Sequence, residues 1–213
     1  MPLDAPTHIL AIRHGETAWN VATRIQGNTD IGLNEIGLAQ ARRVANALRD
    51  DTVEAVYSSD LLRARQTAEA ICASTGAPLR LDAGLRERAF GVFEGLTWAE
   101  IADRFPQESQ RWRNRDLSFA AEGGGEALPE FFARSMGAVR QIAQAHPGQT
   151  VVIVAHGGVM DCLYRAATRL ELDAPRSWTL GNATINRLLC TPEGLSLIGW
   201  NDDSHLARLM DEV

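Results

Sequence analysis

Two apolar segments of the chain end in a histidine followed by glycine. The first runs from Thr7 to Arg13 and leads into His14, and the second, TVVIVA, leads into His156. In an open parallel sheet, ligands bind beyond the carboxyl ends of the strands, where loops lead into helices. If the two segments are neighbouring strands, both imidazoles lie at the same edge of the sheet. The glycines that follow them let backbone amides approach an anion closely.

A third apolar segment delivers an arginine in a similar way. The segment VEAVYS ends at Ser58, a serine cap at Ser58 or Ser59 can begin a helix, and Arg63 falls in its first turns. The amides and the dipole of a helix N-terminus both favour an anion. Arg13, Arg63 and the two histidines then form one cationic cluster, for which a phosphoryl group is the natural ligand.

The composition excludes several classes of chemistry. All 21 basic side chains are arginines, because the chain contains no lysine. A Schiff-base lysine, a lysine nucleophile and a P-loop lysine are therefore excluded. The formal net charge of -6 argues against a general nucleic-acid binder, because affinity for the phosphate backbone depends on many clustered cations.

Cysteine usage and hydropathy indicate the compartment. Cys72, Cys162 and Cys190 are odd in number and share no C-x-x-C spacing, so neither a disulfide framework nor a zinc site is indicated. No apolar run approaches the ~20 residues needed to span a bilayer, and the start of the chain does not resemble a signal peptide. We expect a cytoplasmic protein with no membrane partner and no nucleic-acid partner.

The pattern of apolar residues predicts an α/β fold. Short segments rich in β-branched residues alternate with longer amphipathic ones, and 213 residues with 45% hydrophobic content are enough for one domain. Strands are predicted at Thr7 to Arg13, Val53 to Ser58, Leu79 to Asp82, Thr150 to Ala155, Thr184 to Cys190 and Leu195 to Trp200. The TPEG turn between the last two predicts at least one antiparallel strand.

Helices are predicted between these strands. The main ones run from a cap at Asn34 to about Leu48, from Ser58 or Ser59 to about Ala73, from Leu128 to Ala145 and from Gly158 to about Leu170. Residues 88–127 are rich in Trp, Arg and Gly and are predicted to leave the sheet edge as a cap over the site, with a short helix at Thr97 to Arg104. Within this excursion we expect RWRNR, residues 111–115, to be a solvated face, with binding of a second anionic group as the alternative.

Five motifs in order along the chain resemble a known family. Arg13-His14-Gly15-Glu16-Thr17, followed by Asn20 and RIQG, is similar to the signature of the histidine phosphatase superfamily, which includes the cofactor-dependent phosphoglycerate mutases. The similarity continues through SSDLLRARQTA, LRERAFGVFEG, GGEALPEFFAR and VVIVAHGGVM, from about residue 8 to 190. The resemblance implies a single domain over residues 1–213, a three-layer α/β/α sandwich with a mostly parallel six-stranded sheet and one antiparallel strand.

The resemblance also implies a phosphoryl transfer in two steps, with no metal and no cofactor. His14 would attack phosphorus to give a phosphohistidine, which water then hydrolyses. Arg13, Arg63 and His156 would hold the phosphoryl oxygens, with help from Asn20.

Other residues are assigned by the same resemblance. Gln26 and Gly27 match a loop that lines the substrate entrance, and Gly157 matches a substrate-binding position. Among the acids near predicted loop ends, Glu16, Glu87 and Glu94, the residues alone do not single out the proton donor. The family motif selects Glu87, which leaves the other two to orient neighbouring groups.

Three functions remain open from the sequence. The first is a metal-independent phosphatase acting on a small phosphorylated metabolite, favoured because no lysine-bearing segment of the mutase type follows the acid. The second is a phosphoglycerate mutase that interconverts 2- and 3-phosphoglycerate. The third is a phosphate-binding module without turnover, against which the full set of reactive residues argues. The substrate and the choice between monomer and homodimer are not determined.

Overall fold

Six strands form one sheet in a computed structural model, which describes residues 5–209 of the chain. The strands are β1 (Thr7–Arg13), β2 (Ala55–Ser58), β3 (Leu79–Leu81), β4 (Thr150–Ala155), β5 (Ile185–Thr191) and β6 (Gly194–Asp202). They lie in the order β3-β2-β4-β1-β5-β6. Strands β1 to β4 pair in parallel, whereas β5 runs antiparallel to both β1 and β6. The predicted mostly parallel sheet with one antiparallel strand is confirmed.

Helices connect the strands, and two short α-helices lie within the excursion of residues 88–127. They are α1 (Ala18–Val21), α2 (Glu35–Ala47), α3 (Leu62–Thr75), α4 (Trp98–Arg104), α5 (Pro106–Arg113), α6 (Leu128–Gln144) and α7 (Gly157–Thr168). Asn34 caps α2 as predicted, because its Oδ1 accepts a hydrogen bond from the Gly37 amide at 2.8 Å. Across residues 5–209, no helix combines the length and the apolarity needed to cross a bilayer.

Both faces of the central strands are buried. On β1, Ile9 and Ala11 face a cluster with α6 and α7, whereas Leu10 and Ile12 face a cluster with α2 and α3. Burying an aliphatic side chain of this size contributes roughly 1.5–3 kcal/mol, which is why β1 and β4 are nearly continuous apolar runs. The two clusters establish the three layers that the sequence predicts.

The strand boundaries agree closely with the sequence. β1 and β4 begin and end where predicted. β2 and β3 differ by one or two residues at one end, and β5 and β6 differ by one or two residues at both ends. The agreement is best where both faces are apolar, because burial there leaves little choice of register.

The predicted cap of α3 is wrong. The N-cap residue is Leu61, which has no side-chain cap. The amide of Leu62 instead donates to Oδ1 of Asp30 at 2.6 Å, across a long separation in sequence. Ser58 donates its hydroxyl to the Ser59 carbonyl at 2.8 Å, and Oγ of Ser59 accepts from the amide of Leu61 at 3.3 Å, one residue before the helix begins. Neither hydroxyl bonds an amide inside α3 in the described part of the chain.

The excursion has its own small core and contains a helix that the sequence pattern does not predict. Phe93, Ile101 and Phe119 are buried together there, and α5 packs beside them. Residues 111–115 are therefore not wholly a solvated face. Trp112 stacks on Trp98 with ring centroids 4.2 Å apart, which buries part of the segment.

Asp30→Ala should reduce the free energy of unfolding by about 1 kcal/mol, because it removes the acceptor for the amide of Leu62, the first residue of α3. Urea unfolding of this variant beside Asp50→Ala measures the effect, since Asp50 is an exposed carboxylate with no hydrogen bond among the described residues. Equal losses in the two variants would contradict the capping role.

Candidate active site

The parallel pairing of β1 with β4 brings the two histidines together. Arg13 lies opposite Ala155 in the ladder, so His14 and His156 are the next residues on neighbouring strands. Their ring centroids are 5.2 Å apart, and both side chains are buried. The rings thus share one edge of the sheet, as their positions at the ends of apolar segments predict.

A hydrogen bond from one ring nitrogen of His14 fixes the position of its proton and leaves the lone pair on the other ring nitrogen. Nδ1 lies 2.7 Å from the carbonyl oxygen of Gly15. A carbonyl can only accept, so Nδ1 carries the proton and the lone pair of the neutral ring is on Nε2. The backbone turn at Gly15 therefore sets the tautomer that a nucleophile requires.

Burial keeps both rings neutral. The pKa of His14 is lowered well below its ordinary value, first by burial and then by the charges of Arg63 and Arg13. The pKa of His156 is lowered in the same way by burial, followed by the charge of Arg63. A neutral imidazole is nucleophilic, whereas imidazolium is not, so this environment favours attack by His14.

Arg63 is fully buried and is bound to the entrance loop. Its Nη2 donates to the carbonyl of Gly27 at 2.7 Å, and its Nη1 donates to the carbonyl of Thr29 at 2.9 Å. Burial lowers the pKa of this guanidinium, while the charge of Glu87 acts to raise it. Arg63 thus orders the loop, and its Nε has no partner among the residues that the structure describes.

Arg13 has a similar arrangement. Its Nη1 donates to the carbonyl of Leu180 at 3.0 Å, and its Nε is sealed from solvent with no partner among residues 5–209. Burial lowers its pKa to about 10, although the charge of Glu87 opposes the shift. The side chain therefore remains charged at neutral pH.

The site contains several buried polar atoms that lack partners. Among the described residues these include Nε of Arg13, Nε of Arg63 and both ring nitrogens of His156. Leaving a buried polar group unpaired costs about 1–3 kcal/mol, and more when the group is charged. An anion with several acceptor oxygens would satisfy the guanidinium donors together, and a phosphoryl group has that character.

Glu87 lies beside this cluster. Its Oε1 accepts from the amide of Arg88 at 2.9 Å and its Oε2 from the amide of Gly158 at 3.0 Å. A side chain at Gly158 would collide with Glu87, and one at Gly157 would lie against Nε of Arg13. The two glycines of α7 thus allow the carboxylate and the guanidinium to approach the same point.

The residues predicted to bind the phosphoryl group or to line the entrance, Asn20, Gln26 and Gly27, make different contacts. Oδ1 of Asn20 accepts from the amide and the hydroxyl of Thr17, both at 3.0 Å. Gly27 adopts a left-handed φ of 50° and its carbonyl binds Arg63, whereas Oε1 of Gln26 is buried and has no partner within residues 5–209. Gly27 is therefore tied to loop packing, and Gln26 retains an unsatisfied acceptor.

Glu16 and Glu94, which the sequence left as orienting groups, make bonds of that kind, and Glu126 does the same. Glu94 accepts from the amides of Asn28 at 3.0 Å and Thr29 at 2.9 Å in the entrance loop. Glu16 accepts from the side-chain amide of Asn34 at 2.8 Å. The carboxylate of Glu126, on the edge of the excursion, binds the Arg134 guanidinium and the Ala89 amide.

Asn182 is a site residue that the sequence reading missed. Its Nδ2 donates to the carbonyl of His14 at 2.9 Å and lies 3.4 Å from the carbonyl of Gly15 and from Oδ1 of Asn20. The position follows from topology, because the start of antiparallel β5 lies at the edge where β1 ends. The sequence carries one signal for this position. A polar residue just before a strand that pairs antiparallel with β1 must lie near the end of β1, where His14 follows.

His156→Gln should weaken the pH dependence of stability. Below the ordinary pKa of 6.5 an unfolded chain protonates its histidines, whereas the folded state holds His14 and His156 neutral, so stability falls as the solution becomes acidic. Between about pH 7.5 and about pH 5.5 each such histidine costs roughly 1.4 kcal/mol. Urea unfolding in phosphate-free buffer should show a loss about 1 kcal/mol smaller in the variant. The same loss in both proteins would contradict neutral burial of His156.

Comparison with known proteins agrees with this geometry. The family model described as the histidine phosphatase superfamily (branch 1) matches residues 9–203. A metal-independent phosphoserine phosphatase of Arabidopsis thaliana is 38% identical over 205 residues, covering 95% of this chain and 84% of the relative. Phosphoglycerate mutase-like protein 4 of the same plant is 36% identical over 201 residues, covering 93% and 86%.

A solved structure shows the same fold. YhfR of Bacillus stearothermophilus superposes with a TM-score of 0.86 at 31% sequence identity, covering 94% of this chain and 99% of that protein. The family match, the relatives and the shared architecture lead to one conclusion. The chain belongs to branch 1 of the histidine phosphatase superfamily.

Proposed function

We propose that the protein is a metal-independent phosphomonoesterase that hydrolyses a small phosphorylated metabolite through a phosphohistidine at His14. The observation that carries the proposal is the free Nε2 of a neutral imidazole beside the guanidiniums of Arg13 and Arg63, whose buried Nε atoms have no partner in the described part of the chain. The relationship to a metal-independent phosphoserine phosphatase supports it. Phosphoserine is accordingly a candidate substrate.

In the first step, the lone pair on Nε2 of His14 forms a bond to phosphorus as the ester P–O bond breaks. Glu87 gives its proton to the departing oxygen, so the leaving group departs as a neutral alcohol. In the second step, water attacks the phosphohistidine, Glu87 accepts the proton, and the P–N bond breaks to release phosphate. The carboxyl group thus returns to its starting state.

The cations stabilise the charge that develops on the phosphoryl oxygens. The guanidiniums of Arg13 and Arg63 supply the charge, and the neutral ring of His156 can supply a hydrogen bond. All three are positioned before substrate binds, and preorganised donors in a site shielded from water act more strongly than donors in water. Asn20, Gln26, Gly27 and Gly157 are proposed to border the phosphoryl group and the entrance. Phosphomonoester hydrolysis can need accelerations near ~10²¹, which a covalent intermediate and preplaced charges help to supply.

The excursion is proposed to act as a cap on one catalytic domain. Residues 88–127 supply much of the wall of a cavity that also touches Gly157 and Gly158. The family match over residues 9–203 supports reading the chain as a single unit. The three free thiols support the proposed cytoplasmic location, since reducing compartments preserve thiols.

A phosphoglycerate mutase is the alternative, favoured by the relative named as mutase-like. Such an enzyme would keep the phosphohistidine and return the phosphoryl group to a second hydroxyl of the substrate. The chain lacks lysine, and hence the lysine-bearing segment that grips the far end of the substrate in mutases. We therefore favour transfer to water.

His14→Ala should abolish phosphate release from p-nitrophenyl phosphate and phosphoserine, with a loss of roughly a thousandfold or more, because it removes the nucleophile. His8→Ala is the matched control, since it removes an exposed imidazole near the opposite end of β1. Isomerisation of 3-phosphoglycerate, measured by coupling to enolase with 2,3-bisphosphoglycerate as primer, should be slower than phosphate release. Faster isomerisation would establish the mutase, and failure to hydrolyse any ester would indicate a binding module.

Chelation with EDTA should leave the rate of hydrolysis unchanged, because guanidiniums occupy the role that divalent ions have in metal-dependent phosphatases. The rate is measured before and after dialysis against the chelator, with p-nitrophenyl phosphate as substrate. A large loss of activity that a divalent ion restores would refute the proposed chemistry.

A further inference from the structure

We infer that Arg115 and Arg176 form a second anion subsite, which binds a carboxylate on the leaving group of the substrate. This inference rests on the proposed phosphatase function and specifies its substrate class. It goes beyond the residues that the family motifs assign, because neither arginine lies in those motifs.

A cavity of about 160 Å³ adjoins the phosphoryl site on the side of the acid. Gly157 and Gly158 form part of its wall, and Gly158 donates its amide to Glu87. Since Glu87 is the proposed donor to the ester oxygen, the group attached to that oxygen lies on this side. The cavity is small, which suits a short leaving group.

Aromatic side chains give the cavity apolar walls. Phe90, Trp112 and Phe131 line it, and they exclude water from the carbon chain of a ligand. Excluding water also strengthens any ionic contact made inside, because the local dielectric constant is lower.

The charged residues of the cavity leave positive charge uncompensated. Arg88, Arg115 and Arg176 line it together with the acids Asp116 and Asp161. Arg88 is buried and donates to the backbone of the excursion, so its role there is structural. Asp116 is bound to a guanidinium outside the cavity lining, at 2.6 Å.

Asp161 is shared by two arginines. Its Oδ2 lies 3.1 Å from Nη2 of Arg115 and 2.9 Å from Nε of Arg165, so one carboxylate compensates two guanidiniums. Arg115 also donates from Nε to the carbonyl of Leu172 at 2.6 Å. Its Nη1 has no hydrogen-bond partner among the described residues and is available to a ligand.

Backbone conformation supports a specific role for Arg115. Its φ is 54°, in the left-handed region that non-glycine residues seldom occupy. Such conformations cost of order 1–3 kcal/mol and persist where surrounding contacts fix them, often at ligand sites. The bonds to Asp161 and Leu172 provide that fixation and hold the guanidinium at the cavity wall.

Arg176 approaches from the connection between α7 and β5. It is exposed, its Nε donates to the carbonyl of Trp178 at 3.3 Å, and its guanidinium lies 5.8 Å from the centre of the Trp178 ring. Its terminal nitrogens bind no described residue. The charge is close enough to lower the pKa of Arg13, so Arg176 lies within electrostatic range of the phosphoryl site.

Matched pairs of esters test the inference. Phosphoserine carries a carboxylate that phosphoethanolamine lacks, and the two are otherwise identical. In the second pair, 3-phosphoglycerate carries a carboxylate where glycerol 3-phosphate carries an alcohol. The kcat/KM for the carboxylate member should be about 10- to 100-fold higher in each pair. Arg176→Gln and Arg115→Gln should each reduce that preference by about tenfold and leave p-nitrophenyl phosphate hydrolysis within about twofold.

Arg113→Gln is the matched control, because Arg113 is an exposed guanidinium of the same segment and does not line the cavity. It should keep the preference of the wild type. A melting temperature measured for Arg115→Gln separates misfolding from lost recognition, and Arg176→Gln tests the subsite independently because its side chain is exposed.

Equal kcat/KM values within both pairs would overturn the inference while His14-dependent hydrolysis still supported the phosphatase. Loss of the preference for the carboxylate ester in Arg113→Gln would overturn the inference too. So would a higher kcat/KM for propane-1,3-diol bisphosphate, which carries a second phosphate in place of the carboxylate, than for the carboxylate esters. Absence of hydrolysis for every ester would overturn the proposed function and the subsite together.

Discussion

The structure is organised around buried positive charge that the carboxylate of Glu87 matches only in part. Two guanidiniums and two imidazoles meet at the edge of the sheet, and moving an ion out of water costs several kcal/mol unless it is paired. The protein limits this cost by giving each arginine backbone carbonyls: Gly27 and Thr29 for Arg63, and Leu180 for Arg13. The nitrogens that point elsewhere remain unsatisfied, which is what a phosphoryl group requires of its site.

The same arginines connect the phosphoryl site to the surrounding loops. Arg63 holds the carbonyls of the entrance loop, while Glu94 accepts from the amides of the same loop at Asn28 and Thr29. The loop is thus fixed from both sides by groups of opposite charge. A substitution at Arg63 would disturb the proposed substrate entrance as well as the proposed phosphoryl site, so its effect on rate would combine several lost contacts.

Sequence patterns predict those parts of the fold that local burial determines. The strands β1 and β4 are apolar on both faces, and their pairing places His14 beside His156 with no further information. Helix α5 is different, because its segment PQESQRWR carries few apolar residues and depends on Trp112 stacking on Trp98. Asp30 at the start of α3 and Asn182 beside His14 were missed for a related reason, since both act across long separations in sequence.

The groups proposed for the reaction and those proposed for substrate recognition lie on different parts of the fold. Specificity can therefore vary while the proposed reacting groups stay at the same edge of the sheet. His14, Arg13 and Arg63 are held by backbone groups of the sheet and its loops, and their positions follow from the strand register. Arg115 and Arg176 lie on the excursion and on the connection after α7, outside that register. Changes in those two segments can alter what the cavity accepts without moving the nucleophile, because binding groups on loops can change while the rigid scaffold fixes the chemistry.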